Sequence, residues 1–244
     1  MMGAMEAVNE KTKQVRVGVK RKEKWPGSYW SLWLERGGLE YRAGQYVSIK
    51  VNEEGERRSY SLASYPNEED LQLVVNTAPM GKGSRYVLSL EVGDEVEFLG
   101  PMGEFVVEEE HRVQETKGFL MVATGSGVVP FRPMINDLLK IKREVRPVRL
   151  YWGMRYEEDL FWMKEWMDLE KEYENFKIDV VLSRGGDNWK GCNGHVGDCL
   201  KNHGGDLMGW QAYVCGSREM VEETSKLLMS LGVSESEVNF EKFF

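Results

Sequence analysis

Hydrophobic and polar positions change rhythm once along this chain. Over the first hundred residues, apolar side chains alternate with polar ones in short runs. Val15, Val17 and Val19 alternate within Lys13–Lys20, and Tyr29–Leu34, Gln45–Val51, Arg58–Ala63, Leu71–Asn76 and Glu95–Leu99 follow. Alternation of this kind marks strands with one buried face, and Gly, Pro and Asn separate the runs. Six strands so spaced predict a small antiparallel barrel. Arg85–Leu90, after Ser84, has room for one or two helical turns.

Past residue 112 the rhythm differs. Gly118–Ala123 is continuously apolar, as expected of a strand buried on both faces. A glycine turn follows, then helical periodicity to about Lys142. Val148–Trp152 and Phe176–Ser183 predict strands on either side of a helix over Leu160–Tyr173. Gln211–Cys215 predicts a strand, Arg218–Leu231 a helix and Val238–Phe240 a last strand. No element is predicted for 184–210. Strand alternating with helix implies a parallel sheet covered on both faces. The expected architecture is two domains: an antiparallel β-barrel over 1–112, then an α/β parallel-sheet domain over 113–244. Trp152, Trp162 and Trp166 are read as core between sheet and helix.

Composition narrows the setting. No apolar run reaches the length of a membrane span, and the first ten residues lack the basic end and apolar core of a secretion signal. Three cysteines in 244 residues do not make a disulfide scaffold, so the cytoplasm is the expected compartment. The net charge of −8 opposes nucleic-acid binding, and no recognition motif is visible. Against that balance, residues 11–24 hold seven basic groups and one acidic. Two readings stand: an edge strand whose lysines block further pairing, or a docking patch for an acidic partner.

Candidate chemistry gathers at two strand-to-helix turns. Thr124, Gly125, Ser126 and Gly127 follow the buried strand, with Pro130 placed to begin a helix. Cys215, Gly216 and Ser217 repeat the arrangement. Each is either a tight turn needing glycine or a place where backbone N–H groups meet a phosphate. Two such turns at strand C-termini of one sheet favour a dinucleotide crevice. Val129 is bulky for the helix packing beneath the first turn. In Arg58-Ser59-Tyr60-Ser61, Arg58 and Tyr60 share a face of a strand, with Ser61 opposite. They are either a solvent-facing pair or a guanidinium fork for phosphate beside a flat ring. Lys82, Gly83 and Ser84 precede the short helix and add N–H groups and a cation, unless Lys82 is ordinary surface. Cys192 and Cys199 flank His195, but two thiols and one imidazole leave a zinc ligand missing, so no metal is expected. His111 and His203 read as loop or surface histidines.

Taken in order, GQYVSI at 44–49, RSYSLAS at 58–64, GKGS at 81–84, LGPMGEF at 99–105, VATGSGVVPFRPM at 122–134, YWGMR at 151–155, LSR at 182–184, CGSREM at 215–220 and FEKFF at 240–244 resemble the ferredoxin–NADP+ reductase superfamily, in a short form without an iron–sulfur domain. The resemblance implies an FAD-binding barrel joined to a nicotinamide-binding domain, with the two cofactors meeting in the cleft between. It places Arg58 on the FAD pyrophosphate, Tyr60 on the flavin ring, and Ser61, with the neighbouring Leu62, at the flavin edge. Lys82, Gly83 and Ser84 belong to the pyrophosphate loop, and Thr124, Gly125, Ser126 and Gly127 to the nicotinamide turn. Cys215, with Gly216, stands at the transfer site, while Met220 reads as packing.

Ser183 and Arg184, with Arg218 adding charge nearby, match a 2′-phosphate, and Arg155 fits a pyrophosphate or adenosine contact, so NADP(H) is the expected coenzyme; the other reading of Arg184 is a solvent-facing turn arginine. Glu241 with Phe243 or Phe244 closes the flavin site. Ser61, Cys215 and Glu241 are the expected catalytic set. The implied function is electron transfer between NADP(H) and a separate ferredoxin or flavodoxin, by a monomer to which segment 11–24 helps dock the carrier. The alternatives are an NAD(P)H-dependent reductase component of an oxygenase system, or an electron-transfer subunit of a larger complex.

Overall fold

The computed structural model describes residues 12–107, 116–186 and 188–243. The first half forms six strands: β1 (Lys13–Lys24), β2 (Tyr29–Glu35), β3 (Tyr46–Lys50), β4 (Arg57–Ser61), β5 (Asp70–Asn76) and β6 (Glu95–Met102). Their order is β4-β3-β6-β1-β2-β5, and every neighbouring pair is antiparallel. The two end strands nearly meet, because Leu62 bridges Leu73 and the Ala63 N–H donates to the Gln72 carbonyl at 2.7 Å. The expected barrel is present. Its interior is filled by the alternating residues read from the sequence, among them Val17, Val19, Leu32, Leu34, Val47, Ile49 and Phe98.

The edge-strand reading of the basic segment fails. Lys13–Gly18 pairs with β6 and Val19–Lys24 with β2, so β1 joins the two halves of the barrel and its lysines guard no edge. Helix α1 (Lys82–Ser89) crosses between β5 and β6. It starts three residues earlier than expected, so Lys82, Gly83 and Ser84 form its first turn and not a loop before it.

The second half has the strands β7 (Gly118–Thr124), β8 (Val148–Met154), β9 (Phe176–Leu182), β10 (Cys192–Asn193), β11 (Trp210–Ser217) and β12 (Val238–Phe243). They form one parallel sheet in the order β10-β9-β8-β7-β11-β12. Its helices are α2 (Phe131–Asn136), α3 (Met163–Glu172), α4 (Val196–His203) and α5 (Arg218–Ser230). Strand β7 shows why its sequence is apolar throughout. Phe119, Met121 and Ala123 pack on one face with α2 and α3, while Leu120 and Val122 pack on the other with α4 and α5. The central strands β7, β8 and β11 bury both faces, as a parallel sheet between helix layers requires, while the edge strands β10 and β12 are only half-buried.

Three local differences have physical causes. The stretch after β7 is a 3-10 turn (Gly125–Val128), then α2, then a π turn (Asp137–Ile141), because Pro130 and Pro133 cannot donate the N–H groups one continuous helix needs. Helix α3 begins at Met163 because Trp162 adopts a left-handed backbone (φ 58°). Helix α4 lies in the stretch where no element was predicted, since Gly197 within it and Gly194, Gly204 and Gly205 around it obscure the period. Trp152, Trp162 and Trp166 are core, as expected. The expected domain boundary near 112, and His111, fall outside the described residues.

The cores are not separate. The cluster under β7 also takes in Tyr29, Ala63, Val74 and Phe105 from the barrel side. Barrel and sheet therefore bury apolar area against each other, and the cleft between them has a fixed floor.

Candidate functional site

The site is built from five chain segments that the fold brings together: β4, the start of α1, and the ends of β7, β11 and β12. On β4, Arg58 and Tyr60 point to the same side, towards the start of α1. A side chain at Gly83 would strike the Tyr60 hydroxyl and come within 3.1 Å of the Arg58 Cγ. Only glycine lets the helix start nest against these two residues. The first turn of α1 has no side-chain cap, so its leading N–H groups have no acceptor within the helix. Nothing lies within 4 Å of the Cβ position of Gly81. A ring beside a guanidinium and an uncapped helix start are the polar groups that an anion such as a pyrophosphate could use.

Not every neighbour contributes as expected. The Lys82 ammonium is paired with Glu56, and this contact is the main cause holding the Glu56 carboxyl below its ordinary range. The Ser84 hydroxyl donates to the Asn76 carbonyl at 3.2 Å. Leu62 is a correction: its side chain is fully buried in the barrel core and its N–H donates to Gln45, so neither reaches the cleft.

From the sheet side come the ends of β7, β11 and β12. Gly125 has φ +56° and its carbonyl accepts from the Trp152 indole at 3.0 Å, which fixes the turn. A side chain at Gly127 would overlap the carbonyl of Cys215 and lie 3.1 Å from the Gly216 Cα. The two glycine turns are thus in backbone contact, as expected of one crevice. Val129 is accommodated, fully packed beneath the turn.

Strand β12 runs three residues further than predicted, and register places Glu241 beside Cys215. Across the cleft, the Ser61 hydroxyl approaches the Glu241 carboxylate at 3.5 Å. Ser61, Cys215 and Glu241 therefore converge, one from the barrel and two from the sheet. Burial pushes the Glu241 carboxyl up to about 7 against the Ser61 hydrogen bond, which pulls it down. Burial, reinforced by Glu241, pushes the Cys215 thiol well up. Cys215 is therefore a neutral packing group and not a thiolate. Phe243 packs against the shared core, and Phe244 lies outside the described residues.

The sign of the Glu241 shift has a consequence for stability. A carboxyl whose pKa is raised on folding favours the folded state while protonated. That contribution is complete below the ordinary value of 4.5 and is lost as pH rises to about 7. Glu241→Gln is expected to flatten the pH dependence of urea unfolding across that window, and an unchanged slope would contradict the assignment.

The far end of the crevice lies where β8 and β9 stop. The Ser183 N–H donates to the Met154 carbonyl at 3.0 Å and the Arg184 N–H to the Arg155 carbonyl at 2.9 Å. These bonds bring Arg155 and the Ser183-Arg184 pair side by side. The Arg184 guanidinium donates to the Tyr156 hydroxyl at 2.8 Å. Arg218 faces Glu222 at 3.1 Å instead, and Lys242 shares the same carboxylate. Met220 packs, accepting from the Thr224 hydroxyl.

Two residues with evident roles escaped the sequence reading. Tyr156 follows the quoted YWGMR directly. Arg132 lies inside VATGSGVVPFRPM and links the halves: it donates to the Ala63 carbonyl at 2.7 Å and to both Glu165 oxygens at 2.9 and 3.0 Å. Its signal was a lone arginine in an otherwise apolar helix start.

Comparison with known proteins agrees with this architecture. Residues 29–107 match the oxidoreductase FAD-binding domain, and residues 121–226 match the oxidoreductase NAD-binding domain. The chain is 30% identical over 207 residues to the ferredoxin–NAD(P)+ reductase component of the naphthalene 1,2-dioxygenase/salicylate 5-hydroxylase systems of a Ralstonia species, covering 84% of this chain and 61% of the relative. It is 32% identical over 221 residues to one of the subunits of the Na+-translocating NADH-quinone reductase of Neisseria gonorrhoeae, covering 84% and 53%. The chain thus spans between about half and three-fifths of these relatives. Its fold is similar to that of a Neisseria gonorrhoeae ferredoxin NADP+ reductase solved with FAD and NADP, with TM-score 0.84, 21% identity and coverage of 95% and 99%.

Proposed function

The chain belongs to the ferredoxin–NADP+ reductase superfamily of FAD- and NAD-binding oxidoreductases, and from that premise we propose that it moves electrons between NADP(H) and a separate carrier of the ferredoxin or flavodoxin kind. The observation that carries this reading is the meeting of Ser61, Cys215 and Glu241 from two domains, beside the cradle of Arg58, Tyr60 and Gly83. A flavin bound there would accept hydride from the nicotinamide and release electrons singly.

The chain's own groups do the rest. Arg58 and the start of α1 hold the pyrophosphate. Tyr60, whose hydroxyl burial pushes up to about 12, stays neutral and presents its ring. Ser61 donates a hydrogen bond at the reacting edge, and the neutral Cys215 thiol sets the depth at which nicotinamide packs. Glu241, titrating near neutrality, holds or releases a proton at that edge. Gly125 to Gly127 bring N–H groups against the coenzyme, and the shared core excludes water from below.

The flavin placement is tested at Tyr60. Tyr60→Ala is expected to raise the FAD dissociation constant by about tenfold, the loss of one aromatic contact. An unchanged constant would contradict it. Coenzyme choice is assigned to Ser183 and Arg184, with Arg155. Tyr156 holds the Arg184 guanidinium outward, in position for a 2′-phosphate. Arg184→Ala is expected to raise the NADPH KM by about ten- to a hundredfold, the worth of a charge-assisted hydrogen bond, and the NADH KM little. Equal effects on both would remove the role.

The carrier is the less determined half. Segment 11–24 offers an acidic partner less charge than its composition suggests. Arg16 faces Glu97, Lys20 faces Asp70, and Lys22 donates to the Leu88 and Leu90 carbonyls. We keep Lys13 and Lys24 as its docking cations, with the cytoplasm as the compartment. The similarity to an oxygenase-system reductase component favours a second reading, in which the carrier is that system's ferredoxin. NADPH-driven reduction of cytochrome c through added ferredoxin or flavodoxin separates the carriers.

A further inference from the structure

We propose that Cys192, Cys199 and His203 form a redox-gated binding site for one soft divalent cation of the Zn2+ class, open in the dithiol state and closed as a disulfide. The inference is independent of the flavin and nicotinamide roles above.

The site lies at the open edge of the parallel sheet. Cys192 sits on β10, paired with Val181 of β9. Cys199 and His203 stand four residues apart on α4, and so on one helix face. One ligand atom from each of the three lies within 4.8 Å of the others. The two cysteines, with Cα atoms 6.3 Å apart, are disulfide-bonded in this structure. Their pairing is not legible in the sequence, where the two cysteines read only as candidate zinc ligands with His195.

The histidine also differs from the one the sequence suggested. His195 stands at the start of α4: its carbonyl accepts the Asp198 N–H at 3.0 Å, and the Asp198 carboxylate accepts the His195 N–H at 3.4 Å. His203, further along the same helix, is the imidazole that reaches the sulfurs. Two thiolates and one imidazole with a solvent molecule complete a tetrahedral zinc shell, since three protein ligands and water are an established zinc arrangement.

The surroundings suit a cation. Cys199 is buried, Cys192 is half-buried and His203 is exposed, so the fourth position faces solvent. The Cys192 carbonyl is held by the Trp189 indole at 3.1 Å, which fixes the ligand from β10.

The gate is thiol chemistry that balances. A dithiol reductant gives the Cys192–Cys199 bond two electrons and two protons, and itself becomes a disulfide. The two thiols then bind the cation as thiolates and release two protons to solvent. A disulfide oxidant reverses this: thiol–disulfide exchange re-forms the Cys192–Cys199 bond, the oxidant takes the two electrons and two protons from solvent to become its dithiol, and the cation is expelled.

The test uses the full FAD-loaded chain, reduced with a phosphine that is then removed, and Zn2+ titrated against a chromogenic chelator. The expected result is one Zn2+ per chain for the reduced protein and none for the disulfide form. Cys192→Ser is expected to abolish stoichiometric binding. His203→Ala, at an exposed position that folding tolerates, is expected to weaken binding at least tenfold. Co2+ in place of Zn2+ should give a thiolate charge-transfer band that Cys192→Ser removes. The proposal is overturned if the reduced chain binds no more Zn2+ than Cys192→Ser, or if His203→Ala leaves the affinity unchanged.

Discussion

Arg132→Ala is expected to lower the unfolding free energy by about 1.5–3 kcal/mol, the worth of charge-assisted hydrogen bonds in a half-buried ion pair. The side chain is only 12% exposed, yet it serves three elements at once. Its guanidinium grips Glu165 of α3, the Ala63 carbonyl after β4 and, at 3.3 Å, the Gln72 side chain of β5. It also lies over the rings of Tyr65 and Trp162, at 4.5 and 5.0 Å. Removing it leaves Glu165 half-satisfied by the Tyr65 hydroxyl and strips the Ala63 carbonyl of a donor. Ala63 is two residues from Ser61, so the change also loosens the register between barrel and sheet. Arg132→Lys keeps the charge but loses the fork, and should recover little. Urea unfolding measures both variants, and a loss under about 1 kcal/mol would show that the pair spans a contact without supporting it.

Gly127→Ala is expected to slow coenzyme-driven reduction of bound FAD by about a hundredfold, the scale of a 1 Å misplacement at a reacting centre. The reason is steric and local. The added methyl would overlap the Cys215 carbonyl, and the neighbouring Gly216 Cα is backbone too, so nothing nearby can give way. The turn must lift from β11, and the crevice opens. FAD should stay bound, because the cradle of Tyr60, Arg58 and Gly83 is on the other domain. Gly186→Ala is the control: nothing lies within 4 Å of its Cβ position, and its activity should match the parent. A rapid Gly127→Ala protein would remove the turn from the transfer site.

Much of the fold was legible because its signals are local. Period-two alternation around Val15, Val17 and Val19, and the unbroken apolar run of β7, follow directly from which faces are buried. The ordered motifs then placed Arg58, Tyr60 and the two glycine turns. What stayed hidden was whatever depends on distant segments meeting. The sequence could not show that β1 lies between β6 and β2, so its lysines were read as edge guards. Arg132 looked like one surface arginine until Ala63 and Glu165 arrived beside it from either side in sequence. Leu62 was included with its neighbours because alternation puts it on the face of Arg58 and Tyr60; one step further along, that face runs into the barrel core. Helix α4 was masked by glycines, and with it the proximity of Cys192, Cys199 and His203.

The arrangement also explains how two domains act as one site. Glu241 belongs to the last strand of the sheet, yet its nearest polar partner, Ser61, is on the barrel. The residues proposed for the transfer edge are therefore positioned only when both domains are packed. The shared core and Arg132 supply that packing. Substitutions at the domain contact are expected to reach the transfer rate without touching a cofactor.

Anaerobic mixing of the FAD-loaded chain with NADPH, followed at the flavin absorbance, tests the proposed encounter most directly. The expected result is a bound flavin that bleaches rapidly in the parent and slowly in Gly127→Ala at equal FAD content. A chain that takes up no FAD, or one whose bound flavin stays oxidised with both NADPH and NADH, would contradict it.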